Sequence, residues 1–380
     1  MEKNRSNSTI NAFFSLVYAG LWAGTNLDLN DNLNLGGKVD WNEVYQLAEE
    51  QSVIGVVLAG VEHSNVKPPQ ELLLQWIGEV QMLEQQNKAM NQFIAELVER
   101  LRKADIYMLL LKGQGVSQCY ERPLWRSCGD IDFFLSDDNY NKAKKLLVPL
   151  ATEIETEYEG GFKHLGMTIE GWIVELHGSL RVGLPNRINR ELDVIQADTF
   201  YGGNVRSWNN GGTQIFMLSK ENDIVYVFVH FLNHFYKEGV GLRQLCDWCR
   251  LLWKYRDDLD WKIIESRIRK MGLVSEWKAF GAFAVEYLGM PSESIPMHSA
   301  DTKWKKKADK ICAFILEVGN MGHNRDMSYF EKYPYLIRKV CSMGRRCGDL
   351  IHHARIFPLD SLRFFPRIMV NGVMSAVRGE

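Results

Sequence analysis

The sequence predicts an α+β protein: a small mixed sheet flanked by helices, set between an N-terminal and a C-terminal helical region. Two changes of hydrophobic period predict it. Apolar residues recur at three- and four-residue steps through the first hundred residues, then alternate in the strand period from Ile106 to about Gly178, and return to helical steps from Lys220. The chain's 380 residues suffice for two or three cores. The segments divide as 1–104 (helical), 105–212 (α/β core) and 213–380 (helical).

Element by element, Trp41 to Gly60 and Gln70 to Ala104 carry the helical pattern, and Pro68-Pro69 opens the second. Its stripe of Leu72, Leu73, Trp76, Val80, Leu83, Phe93, Leu97 and Leu101 is core that packs against the sheet. Strands follow at 106–112, 130–136 and 171–177, with helices near 114–120 and from Asp138 to Leu150, the latter capped by Asp137 or Asp138. A strand pair at Glu153–Tyr158 and His164–Glu170 joins the sheet, with Gly160-Gly161 as its turn. Arg187 to Gly212 reads as loop, and Asn209-Asn210-Gly211-Gly212 as a boundary. Helices resume at 220–236, 242–255, 261–271 and 275–287; the remainder is helical, broken by Pro334, Pro358 and Pro366.

The net charge of −2 argues against a generic nucleic-acid binder. Residues 301–380 nevertheless carry 15 Lys/Arg against 8 Asp/Glu. Such a region suits nucleic acid, an anionic membrane face or an acidic partner, or is simply a solvated helical face. Seven irregularly spaced cysteines show no disulfide framework, and Cys246-x-x-Cys249 lacks a second pair at zinc spacing. Buried thiols in a reducing cytoplasm are expected. Ile10 to Gly24 is apolar after Lys3 and Arg5, but Asn11, Ser15 and Tyr18 interrupt it and no Ala-x-Ala site closes it. A buried helix is expected there, and no apolar run reaches the roughly 18 residues of a membrane span.

The chemistry-bearing run is Gly129-Asp130-Ile131-Asp132-Phe133-Phe134-Leu135. Residues two apart on a strand share a face, so Asp130 and Asp132 point one way while Ile131 and Phe133 point toward a core. Two like charges this close need a counter-charge, and a divalent metal ion is the usual one. Upstream, an apolar strand enters the turn Lys112-Gly113-Gln114-Gly115, whose backbone N–H groups suit phosphate oxygens beside the Lys112 ammonium. Downstream, Glu175 and His177 share a strand face opposite Val174 and Leu176. A third carboxylate beside the first two completes a two-metal constellation for in-line phosphoryl transfer.

In this order the segments Leu110-Leu111-Lys112-Gly113, Arg122-Pro123 and Arg126 before Gly129-Asp130-Ile131-Asp132, and Val174-Glu175-Leu176-His177-Gly178 resemble the DNA polymerase beta-type nucleotidyltransferase superfamily. With His230, His234 and the run Gly241-Leu242-Arg243-Gln244-Leu245-Cys246-Asp247-Trp248, the chain is similar to the bacterial group of uncharacterised nucleotidyltransferase family proteins. The likeness covers roughly residues 105 to 180 and extends through the helices to about 255. It implies a nucleotidyltransferase-fold core, Mg²⁺ (or Mn²⁺) held by Asp130, Asp132 and Glu175, and a nucleoside triphosphate cradled at Gly113 and its neighbours. The chain departs from the superfamily's Gly-Ser phosphate turn in carrying Lys-Gly-Gln-Gly, at longer spacing from the aspartates.

Further candidates surround this set. Arg126, four residues before Asp130, suits neutralising the carboxylates or gripping a triphosphate, against the alternative of a salt bridge. His177 suits substrate orientation or proton transfer, or a structural hydrogen bond. His230 and His234 stand at i, i+4, a spacing that suits metal, but Phe231 occupies the place where the metalloprotease motif needs glutamate; the alternatives are metal ligation, substrate contact and structural packing. Arg243 and Asp247 form an intrahelical pair by default; the likeness implies that their helix faces the cleft, which makes both substrate candidates and Asp247 alternatively a brace of the site. The expected reaction moves a nucleoside monophosphate from an NTP to an unidentified hydroxyl or phosphate acceptor. The rivals are a catalytically silent nucleotide-binding module and a toxin-type transferase acting on tRNA or protein. Relief of repulsion predicts that Asp130→Asn and Asp132→Asn each leave the melting temperature unchanged or higher.

Overall fold

A computed structural model describes residues 5–22, 39–155, 157, 163–325, 334–363 and 370. The first helices are α1 (Asn7–Leu21), α2 (Trp41–Glu50), α3 (Ile54–His63) and the long α4 (Gln70–Arg102). Helix α1 buries Phe13, Leu16, Val17 and Leu21 among the neighbouring helices, as its apolar composition requires. The expected single helix over 41–60 is two. Ser52, at φ 55°, turns the chain between α2 and α3.

The sheet comprises β1 (Leu109–Leu111), β2 (Asp130–Phe134), β3 (Glu153–Ile154), β4 (His164–Ile169), β5 (Trp172–His177), β6 (Val205–Asn210) and β7 (Thr213–Leu218). Its order is β3-β4-β5-β2-β1-β7-β6, with β2 parallel to β5 and β1 parallel to β7. A five-residue helix, α5 (Gly113–Ser117), follows β1, and α6 (Asp137–Leu147) follows β2. The N-cap of α6 is Ser136; Asp137 and Asp138 fall in its first turn, where they oppose the positive end of the helix dipole instead of capping it. The turn expected at Gly160-Gly161 lies outside the described residues, as do Gly24 and Pro366.

The segment 187–212 is not loop. Helix α7 (Asn186–Phe200) buries Ile188, Leu192 and Ile195 along one face, and β6 and β7 form an antiparallel hairpin. Gly211 and Gly212 are its two turn residues, at φ 58° and 99°, the positive pair that a tight hairpin needs. The sheet therefore continues to Leu218, and Asn209-Asn210-Gly211-Gly212 lies inside it. Beyond it come α8 (Lys220–Lys237), α9 (Leu242–Tyr255), α10 (Trp261–Met271), α11 (Val274–Leu288), α12 (Thr302–Val318) and α13 (Tyr335–Ile356).

Alternation sorts the two sheet faces. Leu110, Ile131, Phe133, Val174, Leu176 and Met217 join Phe93, Ile94 and Leu97 of α4 in one apolar cluster. Leu109, Leu111 and Phe134 belong to the larger cluster built with the C-terminal helices. The second face is thus apolar toward β1 and carries the acidic residues at β2 and β5. Among the described residues no helix is long and apolar enough to cross a membrane.

Candidate active site

Parallel pairing places Asp132 opposite Glu175, and the preceding face-sharing residue on β2 is Asp130. One oxygen from each of Asp130, Asp132 and Glu175 lies within 4.8 Å of the others. Asp132 is almost wholly buried, at 2% exposure, whereas Asp130 and Glu175 are half-buried. The Asp132 charge beside it, then burial, pushes the Asp130 carboxyl above its ordinary range.

Cations converge on this group. Lys112, the last residue before α5, has φ 46°, and this strained backbone swings its side chain back over the sheet. Its Nζ stands 3.0 Å from Asp132 Oδ1 and 3.0 Å from His230 Nε2. Burial alone would lower the Lys112 pKa, but Asp132, Tyr226, Asp130 and Glu175 more than offset it, so the ammonium persists. An ammonium has no acceptor, so it donates to His230 Nε2, which is therefore unprotonated. Burial, then Lys112 and His234, hold the His230 pKa well below the usual range. His234 Nε2 is 3.4 Å from His230 Nε2.

His177 Nε2 lies 2.7 Å from the same Asp132 oxygen and 3.3 Å from Glu175 Oε2. Burial lowers its pKa, but the hydrogen bonds to Asp132 and Glu175 outweigh this and raise it. His164 Nε2 stands 3.0 Å from Glu175 Oε2. Burial raises the Glu175 pKa; donation from His164 and His177 overcomes it and holds the carboxyl well below its ordinary range.

The remaining candidates fall elsewhere. Gln114 turns inward: its buried side chain donates from Nε2 to Asn87 Oδ1 at 2.7 Å, a strut between α5 and α4. Gly113 has φ +43°, and a Cβ on Gly115 would sit 2.8 Å from Met217 Sδ, so both glycines serve the close approach of α5 to the sheet. Arg126 is 6% exposed and is held by Asp247, Nε to Oδ1 at 3.1 Å and Nη2 to Oδ2 at 2.5 Å. Its guanidinium thus forms a salt bridge, the alternative to neutralising the acidic group, with Asp247 as the partner. Tyr120 Oη donates to the same Asp247 at 2.8 Å. Asp247 thus pairs with Arg126 and not with Arg243. Arg243 instead donates from Nη1 to Ser127 O at 3.0 Å, three residues from Asp130. Cys246 and Cys249 are buried thiols in α9.

Sequence reasoning missed His164 and Asn87. The signal for His164 was the pair Glu170-Gly171, at φ 52° and 83°, which forms a two-residue hairpin turn and fixes His164 opposite His177. Asn87 gave no signal. It donates to Leu124 O at 2.7 Å and Arg126 O at 2.9 Å, partners nearly forty residues away.

The model of the uncharacterised nucleotidyltransferase family matches residues 37–289, which take in the whole sheet and helices α2 to α11. The chain belongs to this family. Among curated proteins no sequence matches it. A solved structure described as an antigenic nucleotidyltransferase-like protein from Paracoccidioides brasiliensis matches 55% of this chain and 94% of its own length, at 12% identity and a TM-score of 0.30. In this nucleotidyltransferase-family chain the acidic residues form a group whose three oxygens suit a metal ion.

Proposed function

We propose that the protein moves a nucleoside monophosphate from an NTP to a hydroxyl or phosphate of an acceptor, releasing pyrophosphate. The supporting observation is the convergence of Asp130, Asp132 and Glu175 from two adjacent strands to within 4.8 Å. The donor set fits Mg²⁺ or Mn²⁺: three hard carboxylate oxygens, one of them raised in pKa because its like-charged neighbour repels it. Held by these three residues, the ion supplies charge neutralisation at the phosphates and a more acidic acceptor hydroxyl.

The chain's own groups do the rest. The Lys112 ammonium, held charged by the surrounding carboxylates, offers a donor to a phosphate oxygen. Backbone N–H groups of the Gly113–Gly115 turn lie beside it and suit the same oxygens. Glu175, kept ionised by its two histidines, is placed to accept the acceptor's proton at a carboxylate oxygen. His230, held neutral, orients Lys112 without adding a competing positive charge.

The test is incubation of the purified chain with labelled NTPs, Mg²⁺ or Mn²⁺ and cell extract, followed by identification of the labelled product. Label transfer with pyrophosphate release, lost in Asp130→Asn, is expected. Undiminished transfer in Asp130→Asn removes the mechanism. Calorimetric ATP binding without pyrophosphate release across all four NTPs assigns the chain to a silent nucleotide-binding module.

A further inference from the structure

We infer that His164, Glu175 and His177 form a transition-metal site of the Zn²⁺ class, adjoining the acidic group and sharing Glu175 with it. The inference deepens the reading above by naming a second kind of cation at the same strands. It does not require that nucleotide transfer occur.

Strand register builds the site. His164 and His177 face each other directly across β4 and β5, and Gly166 stands opposite Glu175, where the Glu155 carboxylate fills the space a Cβ would take. One oxygen, Glu175 Oε2, is approached by His164 Nε2 at 3.0 Å and by His177 Nε2 at 3.3 Å. Two ligand atoms about 2.1 Å from a common ion, at angles between a right angle and tetrahedral, lie roughly 3.0–3.4 Å apart. The spacing is therefore that of neighbouring ligands on one ion.

Hydrogen bonding accounts for the cluster less well. His177 Nε2 faces Asp132 Oδ1 at 2.7 Å and Glu175 Oε2 at 3.3 Å, yet it carries at most one proton. One N–H shared between them is a three-centre bond, close to Asp132 and long to Glu175. A cation on the Nε2 lone pair would replace that long arm to Glu175 with a shared metal contact. Two imidazole nitrogens with one carboxylate select Zn²⁺ and its neighbours, whereas Asp130 and Asp132 offer the hard oxygens that Mg²⁺ prefers. Three protein ligands with an open position is also the donor count of catalytic zinc sites. The His164, Glu175 and His177 side chains are 33%, 24% and 14% exposed, which leaves an entry path from solvent.

Titration of the full chain with Co²⁺ alone, a spectroscopic stand-in for Zn²⁺, tests the assignment. One equivalent is expected to bring up a visible d–d band. His164→Ala and His177→Ala should each weaken Co²⁺ binding by about 100-fold or more, the upper end of what loss of a supporting group costs. His164→Gln keeps a hydrogen-bond donor for Glu175 but no imidazole, and it should lose the band while melting as the parent does. Asp130→Asn should retain the band. Absence of the band in the parent chain, or its survival in both alanine variants, overturns the site. The two readings fail separately: lost nucleotide transfer with an intact band removes only the reaction, and a missing band with intact transfer removes only this metal site.

Discussion

Asp130 and Asp132 occupy the same strand face two residues apart, but their surroundings assign them opposite effects on stability. Asp130 is destabilised chiefly by the Asp132 charge. Asp132 is the counter-ion of a buried ammonium, with Lys112 Nζ at 3.0 Å and His177 Nε2 at 2.7 Å. Asp130→Asn should therefore leave the melting temperature unchanged or higher. Asp132→Asn should lower it, because breaking one side of a buried pair strands the other charge; we expect a loss of roughly 3 kcal/mol. Thermal denaturation without added metal reads the split, and equal shifts in the two variants would contradict it. The sequence alone, which shows only the repulsion, predicts the same outcome for both. Lys112 is next to the glycine turn in the chain, and nothing in its spacing says that a residue with φ 46° doubles back onto β2.

The acidic strands were legible because their signal is local. Alternation over 130–134 and 172–177 names the shared face directly, and the structure places Ile131, Phe133, Val174 and Leu176 together on the opposite one. The hairpin β6–β7 was not legible. Val205-Arg206-Ser207-Trp208-Asn209-Asn210 is polar because it forms the sheet's edge, where burial asks little of its side chains. Helix α7 did carry a readable stripe in Ile188, Leu192 and Ile195. Partnerships between distant elements carry no local period, and the link of Arg126 to Asp247 in α9 is the clearest case. Both side chains are buried, and Tyr120 adds a hydrogen bond to the carboxylate. Asp247→Asn should destabilise by about 3 kcal/mol by leaving the Arg126 guanidinium unpaired, while the double variant Arg126→Met, Asp247→Leu should recover much of that loss. Urea denaturation of the cycle measures the coupling. Additive losses would mean that the pair does not act as a unit.

At the scale of the whole molecule, the C-terminal helices are tied to the body through buried ionisable groups. Glu276 of α11 is fully buried, takes a hydrogen bond from Tyr236 Oη at 3.3 Å, and lies against Asp360, which Arg187 also contacts at 2.7 Å. Burial first, then the Asp360 charge, push the Glu276 carboxyl from 4.5 up to about 8. The native state thus keeps a proton that the unfolded chain releases near pH 4.5. Stability from this group is full below that pH and falls as pH rises toward about 8, by up to about 1.4 kcal/mol per pH unit. His353 of α13, packed against Phe235 and Phe314, works the other way: burial pulls its pKa down from 6.5 to about 3. The native state there binds fewer protons than the unfolded one, so stability rises with pH through that window and levels off near 6.5. The two slopes oppose each other between about pH 4.5 and 6.5, and the Glu276 contribution emerges above it. Glu276→Gln cannot release a proton, so its stability relative to the parent should grow from pH 5 to pH 8 and stay constant beyond. Urea midpoints of both chains at half-unit pH steps give that difference directly, with His353 and every other shared group cancelling. A difference that stays flat across the range would mean that Glu276 folds already ionised, its charge matched within the Arg187–Asp360–Lys307 neighbourhood.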